Sequence, residues 1–258
     1  MLALGRFTTI DPLAEKYYSI SPYAYVANNP LRFIDPTGKS LTDYYNIETG
    51  EHLMHVDDDI DEAIAMDRTV YNMLNEEGAL SNATAKLCGG ISLGTDTNFE
   101  IITATLYAEA GYINPNSQES AAIYSVLENR SKTSGKPITD LLKQGIYGYG
   151  STDYNIALSK GKGYAEQDYS SSRHNAARRG AILGMANSMD YSEGAYFWDA
   201  SVFLDNPTKY SNNYFNKRGH GTTVGTSTNQ INFSYTTKVR STQFMKYNPT
   251  SFPNKTWP

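Results

Sequence analysis

Residues 97–132, TNFEIITATLYAEAGYINPNSQESAAIYSVLENRSK, constrain the fold most, because two strong helical patterns meet here at a short break. Thr97 and Glu100 have the spacing of a capping box, and apolar residues then recur at helical intervals. Gly111 follows the last of them, and glycine is a common residue just past the end of a helix. The pattern predicts a helix over residues 98–110.

Glu109 occupies the last turn of this predicted helix. The negative end of the helix dipole disfavours an ionised carboxylate there, and an apolar setting with Tyr107 and Tyr112 would act in the same direction. A carboxylic acid that keeps its proton near neutral pH can serve as a general acid. Glu109 is therefore the candidate catalytic residue.

A second helix is predicted directly after the break. Asn116 and Glu119 form another cap pair, and an apolar stripe then leads to Glu128, Asn129 and Arg130. Because the connection between the two helices is short, we expect them to lie antiparallel and to form the floor of a cleft.

The motifs LYAEAG at residues 106–111 and SVLENRSK at residues 125–132 resemble the core of the SleB-like, spore-cortex-lytic cell wall hydrolases. In that family a Tyr-Ala-Glu-Ala helix precedes a helix that ends in an Asn-Arg pair, and the glutamate is the catalytic acid. The resemblance extends with gaps over residues 98–204, including the alanine-rich stretch and aromatic strand of residues 176–201. It implies a lysozyme-like helical fold, a peptidoglycan substrate and Glu109 as the acid.

The resemblance also implies which residues line the cleft. In the family the loop equivalent to GIYGYGSTDYN, residues 145–155, lines it, and Asp153 is the one carboxylate in that loop. Tyrosine rings suit the faces and hydroxyls of sugars, and the chain contains 21 tyrosines. The candidate substrate-binding residues are Tyr107, Tyr112, Asn129, Tyr147, Tyr149, Tyr154, Tyr196, Trp198 and Asp199.

Residues 5–40 resemble the end of the RHS repeat-associated core, the module that closes a shell ahead of variable C-terminal toxins. The text SPYAYVANNPLRFID runs up to the second of two Asp-Pro sites, at Asp11 and Asp35, which match the paired Asp-Pro boundary of that family. Ala14 stands where the first glycine of the boundary is usual. Because the shell sequence is missing from this chain, we expect no self-cleavage.

The predicted fold class is α+β, mainly helical, with a lysozyme-like SleB-type catalytic domain, short β-hairpins and an irregular N-terminal RHS-core remnant. Residues 1–40 form the remnant, residues 41–96 a connecting hairpin and helix, and residues 97–258 the cell wall hydrolase domain. The further predicted elements are hairpins at 41–66 and 230–247, helices at 68–78, 137–144 and 171–189, a strand at 195–200, a loop at 81–97 and a flexible turn at 159–163.

Charge and hydropathy limit the class of partner. A net charge of -5 and a pI near 5.4 provide no basic field for nucleic acid, and the patch of Arg173, His174, Arg178 and Arg179 is interpreted as the solvated face of a helix. We expect no membrane span and no signal peptide. The expected localisation is synthesis in the bacterial cytoplasm, then export to the periplasm or cell wall of a target bacterium.

Metal and nucleophilic chemistry lack a recognisable motif. His52 and His55 are three residues apart in a predicted strand, so they should face opposite sides and not chelate together. A single cysteine, Cys88, can form neither a zinc cluster nor an internal disulfide, and it is interpreted as structural. No metal and no other cofactor is expected.

Two enzymatic mechanisms remain open. Glycoside cleavage usually requires two carboxylates, whereas this sequence offers one convincing carboxylate. A lytic transglycosylase needs only the one acid, because the C6 hydroxyl of N-acetylmuramate closes an anhydro ring. With Asp153 as a second carboxylate, the enzyme would instead be a hydrolysing muramidase, and Glu128, Glu193 and Asp199 are further candidates for that group.

The expected role is that of an antibacterial RHS-type toxin effector, delivered by a type VI-like secretion route. Its expected partners are the glycan strands of peptidoglycan, a cognate immunity protein, and the RHS shell or secretion machinery. Two other classes are a nuclease toxin, which RHS tails often carry, and a non-enzymatic carbohydrate-binding module, which the tyrosine content allows. The negative net charge and the lack of a His-Asn-His type motif argue against the nuclease.

Overall fold

A computed structural model of the protein describes residues 41–110, 116–143, 148–162, 172–187, 189–200, 233–240 and 242–247. The fold is α+β, with about 52% helix among these residues. The helices are α1 (Arg68–Glu76), α2 (Asn82–Leu87), α3 (Asp96–Glu109), α4 (Ser117–Ser134), α5 (Ile138–Leu142), α6 (Thr152–Lys162) and α7 (Ser172–Asn187). The strands are β1 (Leu41–Asn46), β2 (His52–Asp57), β3 (Glu62–Met66), β4 (Ile91–Ser92), β5 (Phe197–Ala200), β6 (Phe233–Val239) and β7 (Thr242–Tyr247).

The first sheet has the strand order β2-β1-β3-β4. β1 and β2 are antiparallel, which confirms the hairpin expected from the Glu-Thr-Gly-Glu turn, and β3 runs parallel to β1. Gly50 turns the chain with φ at 73°. A β-carbon on Gly50 would also lie 2.5 Å from the backbone nitrogen of Arg179. The turn therefore packs directly on α7, and only glycine fits there.

The second sheet has the strand order β5-β7-β6. β6 and β7 form the hairpin expected over residues 230–247, with Arg240 at the turn in the left-handed region. β5 pairs antiparallel with β7 and matches most of the predicted strand at 195–200. Trp198 lies on β5, opposite Phe244.

The two central helices begin and end with identifiable caps. α4 starts as predicted, because the side chain of Asn116 accepts hydrogen bonds from the backbone N–H groups of the next turn. It ends at Gly135, which has φ at 68°, one turn later than expected. The predicted cap of α3 is wrong. Thr95 is the N-cap, so Glu100 lies two residues beyond the position that a capping box requires, and it is buried.

Two predicted irregular segments are helical. The expected loop at residues 81–97 contains α2, whose N-cap Ser81 forms a reciprocal capping box with Thr84, and it also contains β4. Cys88 follows α2 and is exposed, so it does not contribute to the core as a structural residue would. The expected flexible turn at residues 159–163 is helical as far as Lys162, where α6 ends.

The largest hydrophobic core joins α3, α4 and α7 to the first and second sheets. Its fully buried members include Tyr45 of β1, Phe99 of α3, Leu127 of α4, Ile182 of α7 and Phe244 of β7. Side chains alternate across a strand, so a second core lies on the other face of the first sheet. That core contains Tyr44, Ile64 and Met66 together with Tyr71 and Leu74 of α1.

α7 crosses α4 at close range. A β-carbon on Gly180 would lie 2.8 Å from the backbone nitrogen of Ala121 and 2.9 Å from the carbonyl oxygen of Ser117. One turn later, a β-carbon on Gly184 would lie 2.7 Å from the Cε1 atom of Tyr124. Two glycines spaced four residues apart on one helix face allow this approach.

The basic patch on α7 is not a solvated face. His174 and Arg178 are each 2% exposed, and the guanidinium carbon of Arg178 lies 5.6 Å from the centre of the Tyr45 ring. The charge pattern could not reveal the burial of His174 and Arg178, because that burial depends on how α7 packs against β1, α3 and α4. None of the helices in the described segments is both long and apolar enough to cross a membrane.

Candidate active site

Glu109 is the last residue of α3, as its sequence position predicted. Ala110, which follows it, has an extended backbone with φ at -73° and ψ at 152°, so the helix ends abruptly there. The Glu109 side chain is half-buried. A carboxylate is thus held at the end of a helix that is itself anchored in the main core through Phe99 and Leu106.

Both carboxylate oxygens of Glu109 accept hydrogen bonds from parts of the chain far away in sequence. The backbone N–H of Gly148 donates to Oε1. The indole N–H of Trp198 donates to Oε2 over 3.1 Å. The structure therefore brings together the predicted acid and one of the predicted lining residues, Trp198.

Arg130 of α4 supplies a positive charge to the same site. Its guanidinium lies 4.9 Å from the centre of the Trp198 ring, a cation–π distance, and its Nε donates to the carbonyl oxygen of Tyr196 over 2.7 Å. Burial lowers the pKa of Arg130 to about 10, while the negative charge of Glu109 acts in the opposite direction. Arg130 therefore faces Glu109 as a buried, hydrogen-bonded cation.

Asn129 lies beside Arg130 but faces a different group of residues. Its side-chain amide donates to Asp190 over 3.0 Å, to the Ser192 hydroxyl over 3.3 Å and to the Ala195 carbonyl oxygen over 3.1 Å. These acceptors belong to the turn that leads into β5. Asn129 therefore helps to hold the strand that carries Trp198.

Asp153 lies in the first turn of α6 and contacts a cation on α7. Arg173 donates to its Oδ2 over 3.3 Å, and the same guanidinium lies 4.0 Å from the centre of the Tyr107 ring. Tyr107 also contacts the His174 ring at 5.2 Å. Asp153 and Tyr107 thus share Arg173 as a partner between α3, α6 and α7.

The remaining predicted tyrosines fall into separate groups. Tyr149 and Tyr154 contact each other with ring centres 4.9 Å apart, and Tyr154 is buried on α6 and not in an irregular loop. The Tyr196 hydroxyl forms a hydrogen bond with Thr133 over 3.1 Å. Tyr112, Tyr147 and the side chain of Asp199 lie outside the described residues.

Two residues at the Glu109 carboxylate are missing from the sequence-based candidates. Gly148 lies in the Gly-Ile-Tyr-Gly-Tyr-Gly segment, residues 145–150, that was expected to line the cleft, but only the tyrosines were chosen there because their rings suit sugars. Arg130 belongs to the Asn-Arg pair at the end of the motif, of which only Asn129 was selected. The signal for Arg130 was its place in the SVLENRSK motif, directly after the apolar stripe of α4.

A second polar cluster surrounds Asp43 on the first sheet. His52 Nε2 lies 2.5 Å from Asp43 Oδ1, and His55 Nδ1 lies 3.2 Å from both carboxylate oxygens. The expectation that the two histidines face opposite sides is wrong. Tyr44 pairs with Met54 and Tyr45 with His52, so Leu53 is an extra residue that shifts the alternation of β2.

This cluster continues to the start of α3. The Tyr45 hydroxyl donates to Asp96 Oδ1 over 3.1 Å. Burial raises the pKa of Asp96 to about 9, and the charges of Asp43 and Glu100 act in the same direction. Although burial opposes the shift, the hydrogen bonds of His52 and His55 lower the pKa of Asp43 to about 2.

The two polar sites lie at opposite ends of α3, and their residues suggest no metal. Within the described segments, no group of three or more His, Cys, Asp and Glu side chains has an arrangement suited to an ion. The Glu109 site offers a carboxylate, fixed N–H donors, a buried cation and an indole ring. A carboxylate fixed in this way can exchange a proton with a bound molecule, and the indole ring offers it an apolar face.

Comparison with known proteins adds no relative to this description. The chain matches no protein-family model, and neither the curated proteins nor the solved structures include a significant match.

Proposed function

We propose that this protein cleaves the glycan strand of peptidoglycan, with Glu109 as the general acid. One observation carries the proposal: a half-buried carboxylate at the end of α3 is oriented through both oxygens, by Gly148 and by Trp198. General acid catalysis requires such a group at a fixed position beside the substrate. The likeness of LYAEAG and SVLENRSK to the SleB-like hydrolases supports the choice of substrate and a lysozyme-like relationship of α3 and α4.

The contact between Asp153 and Arg173 favours the mechanism with one acid. Arg173 engages Oδ2 of Asp153, so this carboxylate would have to leave that partner before it could act as the base or nucleophile of a two-carboxylate mechanism. In the transglycosylase mechanism, Glu109 gives its proton to the glycosidic oxygen as the glycosidic bond breaks. Glu109 then takes the proton of the C6 hydroxyl while the C6 oxygen bonds to C1 and closes the anhydro ring. In the muramidase mechanism, a water molecule supplies the new oxygen and needs a second carboxylate.

The biological role in this proposal is that of an antibacterial effector. Residues 5–40 carry the likeness to an RHS core, and such a module precedes toxins that are delivered to other bacteria. A producing cell would then need an immunity protein that binds the enzyme. Export by a type VI-like machine would bring the domain to the periplasm or cell wall of the target.

Digestion of purified peptidoglycan, followed by mass spectrometry of the products, tests the proposal. Glu109→Gln retains the shape of the side chain but cannot give a proton, so we expect the rate to fall on the order of 10²- to 10⁴-fold. Glu76→Gln is the matched control, because Glu76 is an exposed glutamate at the end of another helix, α1. Full activity of the Glu109→Gln protein would refute the assignment.

The products separate the two mechanisms. Anhydromuramoyl ends, with Asp153→Asn still active, indicate a lytic transglycosylase. Reducing muramic acid ends, with Asp153→Asn inactive, indicate a hydrolysing muramidase. Intact peptidoglycan after prolonged incubation with the folded wild-type protein would contradict both.

A further inference from the structure

We propose that Gly148 is a positioning residue that fixes the orientation of the Glu109 carboxylate, with Trp198 as its counterpart on the other oxygen. This inference rests on the proposed function for its catalytic meaning, although the positioning itself is a property of the protein alone. The backbone N–H of Gly148 donates to Oε1, and the Trp198 indole donates to Oε2. Gly148 is buried, so its N–H has this carboxylate in place of water.

The absence of a side chain at position 148 is what allows this contact. A β-carbon built there would lie 2.7 Å from Glu109 Cγ, 2.8 Å from Oε1 and 3.1 Å from Cδ. These three nearest atoms all belong to the Glu109 side chain. Gly150, two residues later, has nothing within 4 Å of such a carbon and owes its identity to a φ of 74°. Two glycines of one loop therefore serve different purposes, and only Gly148 serves the carboxylate.

The atoms that would be displaced are the end of a flexible side chain. Replacement of Gly148 by alanine should therefore move Glu109 and leave the backbone of α3 in place. The two donors come from the loop after α5 and from β5, whereas Glu109 itself ends α3. Three separate segments thus converge on one carboxylate, and loss of one contact frees it to rotate.

A displaced Glu109 side chain should slow the proposed reaction, because proton transfer requires a precise geometry. The proton of the acid must point at the glycosidic oxygen, and a displacement of about 1 Å can cost on the order of 10²-fold in rate. We expect the tyrosines that would bind the sugar rings to keep their positions in this variant. The expected signature is therefore a fall in kcat with little change in KM.

The first experiment compares the kinetics of Gly148→Ala with those of Gly150→Ala on soluble glycan strands. We expect kcat of Gly148→Ala to fall on the order of 10²-fold, while thermal unfolding stays close to that of the wild type. Gly150→Ala is the control, because it strains the same loop without approaching Glu109. Equal kcat values for Gly148→Ala and the wild type would overturn the proposal, as would equal losses in the two variants.

The second experiment needs no activity. The chain has two tryptophans, so its NMR spectrum contains two indole N–H signals, and Trp198→Phe identifies the one that contacts Glu109. We expect the Gly148 amide and the Trp198 indole signals to shift with pH at one common midpoint in the wild type. In Glu109→Gln this shared titration should be lost, and in Gly148→Ala the indole signal should be displaced.

The two experiments distinguish two kinds of failure. If the wild type does not cleave peptidoglycan but both N–H signals follow Glu109, the proposed function is wrong and the positioning stands. If neither signal responds to Glu109→Gln, the positioning is refuted even when cleavage is observed. If Gly148→Ala fails to fold, the wild-type titration and Trp198→Phe still decide the question.

Discussion

Asp96 is a single residue whose ionisation should oppose folding. It lies at the start of α3, where Tyr45 donates a hydrogen bond to it, and Asp43 and Glu100 add negative charge nearby. The folded protein holds the Asp96 proton up to about pH 9, whereas the unfolded chain releases it near the ordinary pKa of 3.8. Between these values unfolding releases a proton, so a rise in pH favours the unfolded state.

We therefore predict that the wild type is less stable at pH 8 than at pH 5, and that Asp96→Asn reduces this loss. Asparagine can still accept the Tyr45 hydrogen bond but has no charge to bury. One pKa unit corresponds to about 1.4 kcal/mol of unfolding free energy. Between pH 5 and pH 8 we expect the wild type to lose more unfolding free energy than Asp96→Asn, by at least that amount. Thermal or urea unfolding at the two pH values measures it.

His55 contributes a pH dependence of the same sign. Its hydrogen bond to Asp43 raises the pKa of His55 above 6.5, so the stability from this contact is present at low pH and is lost as the pH rises through the folded value. This contribution remains in Asp96→Asn and forms the common background. Asp140→Asn, an exposed change on α5, should retain the full wild-type loss. An identical pH dependence in all three proteins would contradict the assignment to Asp96.

At the residue scale, the sequence could place Glu109 at the end of a helix because the signal for that position is local. A helix pattern, a glycine stop and a motif all lie within residues 97–111. Gly148 could not be found this way, since its role depends on a hydrogen bond to a carboxylate 39 positions away. The pairing of both histidines with Asp43 depends on a bulge at Leu53, which an alternating pattern does not predict.

The crossing of α4 and α7 allows a prediction at the scale of elements. Helix propensity alone would make Gly180→Ala stabilising by about 1 kcal/mol. The overlap with the backbone of Ala121 and Ser117 acts in the opposite direction, because a helix backbone cannot move aside as a side chain can. Overpacking costs typically about 1 to 3 kcal/mol, so we predict net destabilisation.

Urea unfolding of Gly180→Ala and of Asn75→Ala measures this balance. Asn75 is exposed on α1, so its replacement gains helix propensity and loses no packing. We expect the unfolding midpoint to fall for Gly180→Ala and to stay or rise slightly for Asn75→Ala. A higher unfolding midpoint in both variants would show that α4 and α7 can move apart without a loss of stability.

Elements with both a cap and an apolar stripe were predictable from the sequence. α4 has the Asn116 cap and a long stripe, and β1 with β2 has a hairpin turn between two short runs. α2 was missed because it has only six residues and is followed by two glycines. The burial of His174 and Arg178 was missed because charge predicts exposure unless the neighbouring elements are known.

At the scale of the whole molecule, the proposed substrate determines where the protein can do harm. Peptidoglycan lies outside the cytoplasm, so we predict that expression in the cytoplasm of a test bacterium is tolerated. The same protein with an added signal sequence should lyse the cells. Glu109→Gln with that signal sequence should be harmless and is the matched control, and viable counts with microscopy of cell shape measure the effect.

A nuclease would give the reverse outcome. Killing from the cytoplasm with degraded DNA or RNA would reject the cell wall reading. Survival in both compartments, with folded protein present in each, would favour a binding module.

The shared main core has a consequence for how such a domain can be exchanged between proteins. Tyr45, Ala63 and Ala65 come from the predicted connecting segment, yet they pack in the same core as α3, α4 and α7. A recombination breakpoint near residue 97 would leave those helices without one wall of their core. A breakpoint ahead of β1 would transfer the wall together with α3, α4 and α7. Chimeras made to exchange this domain should therefore be joined at about residue 40.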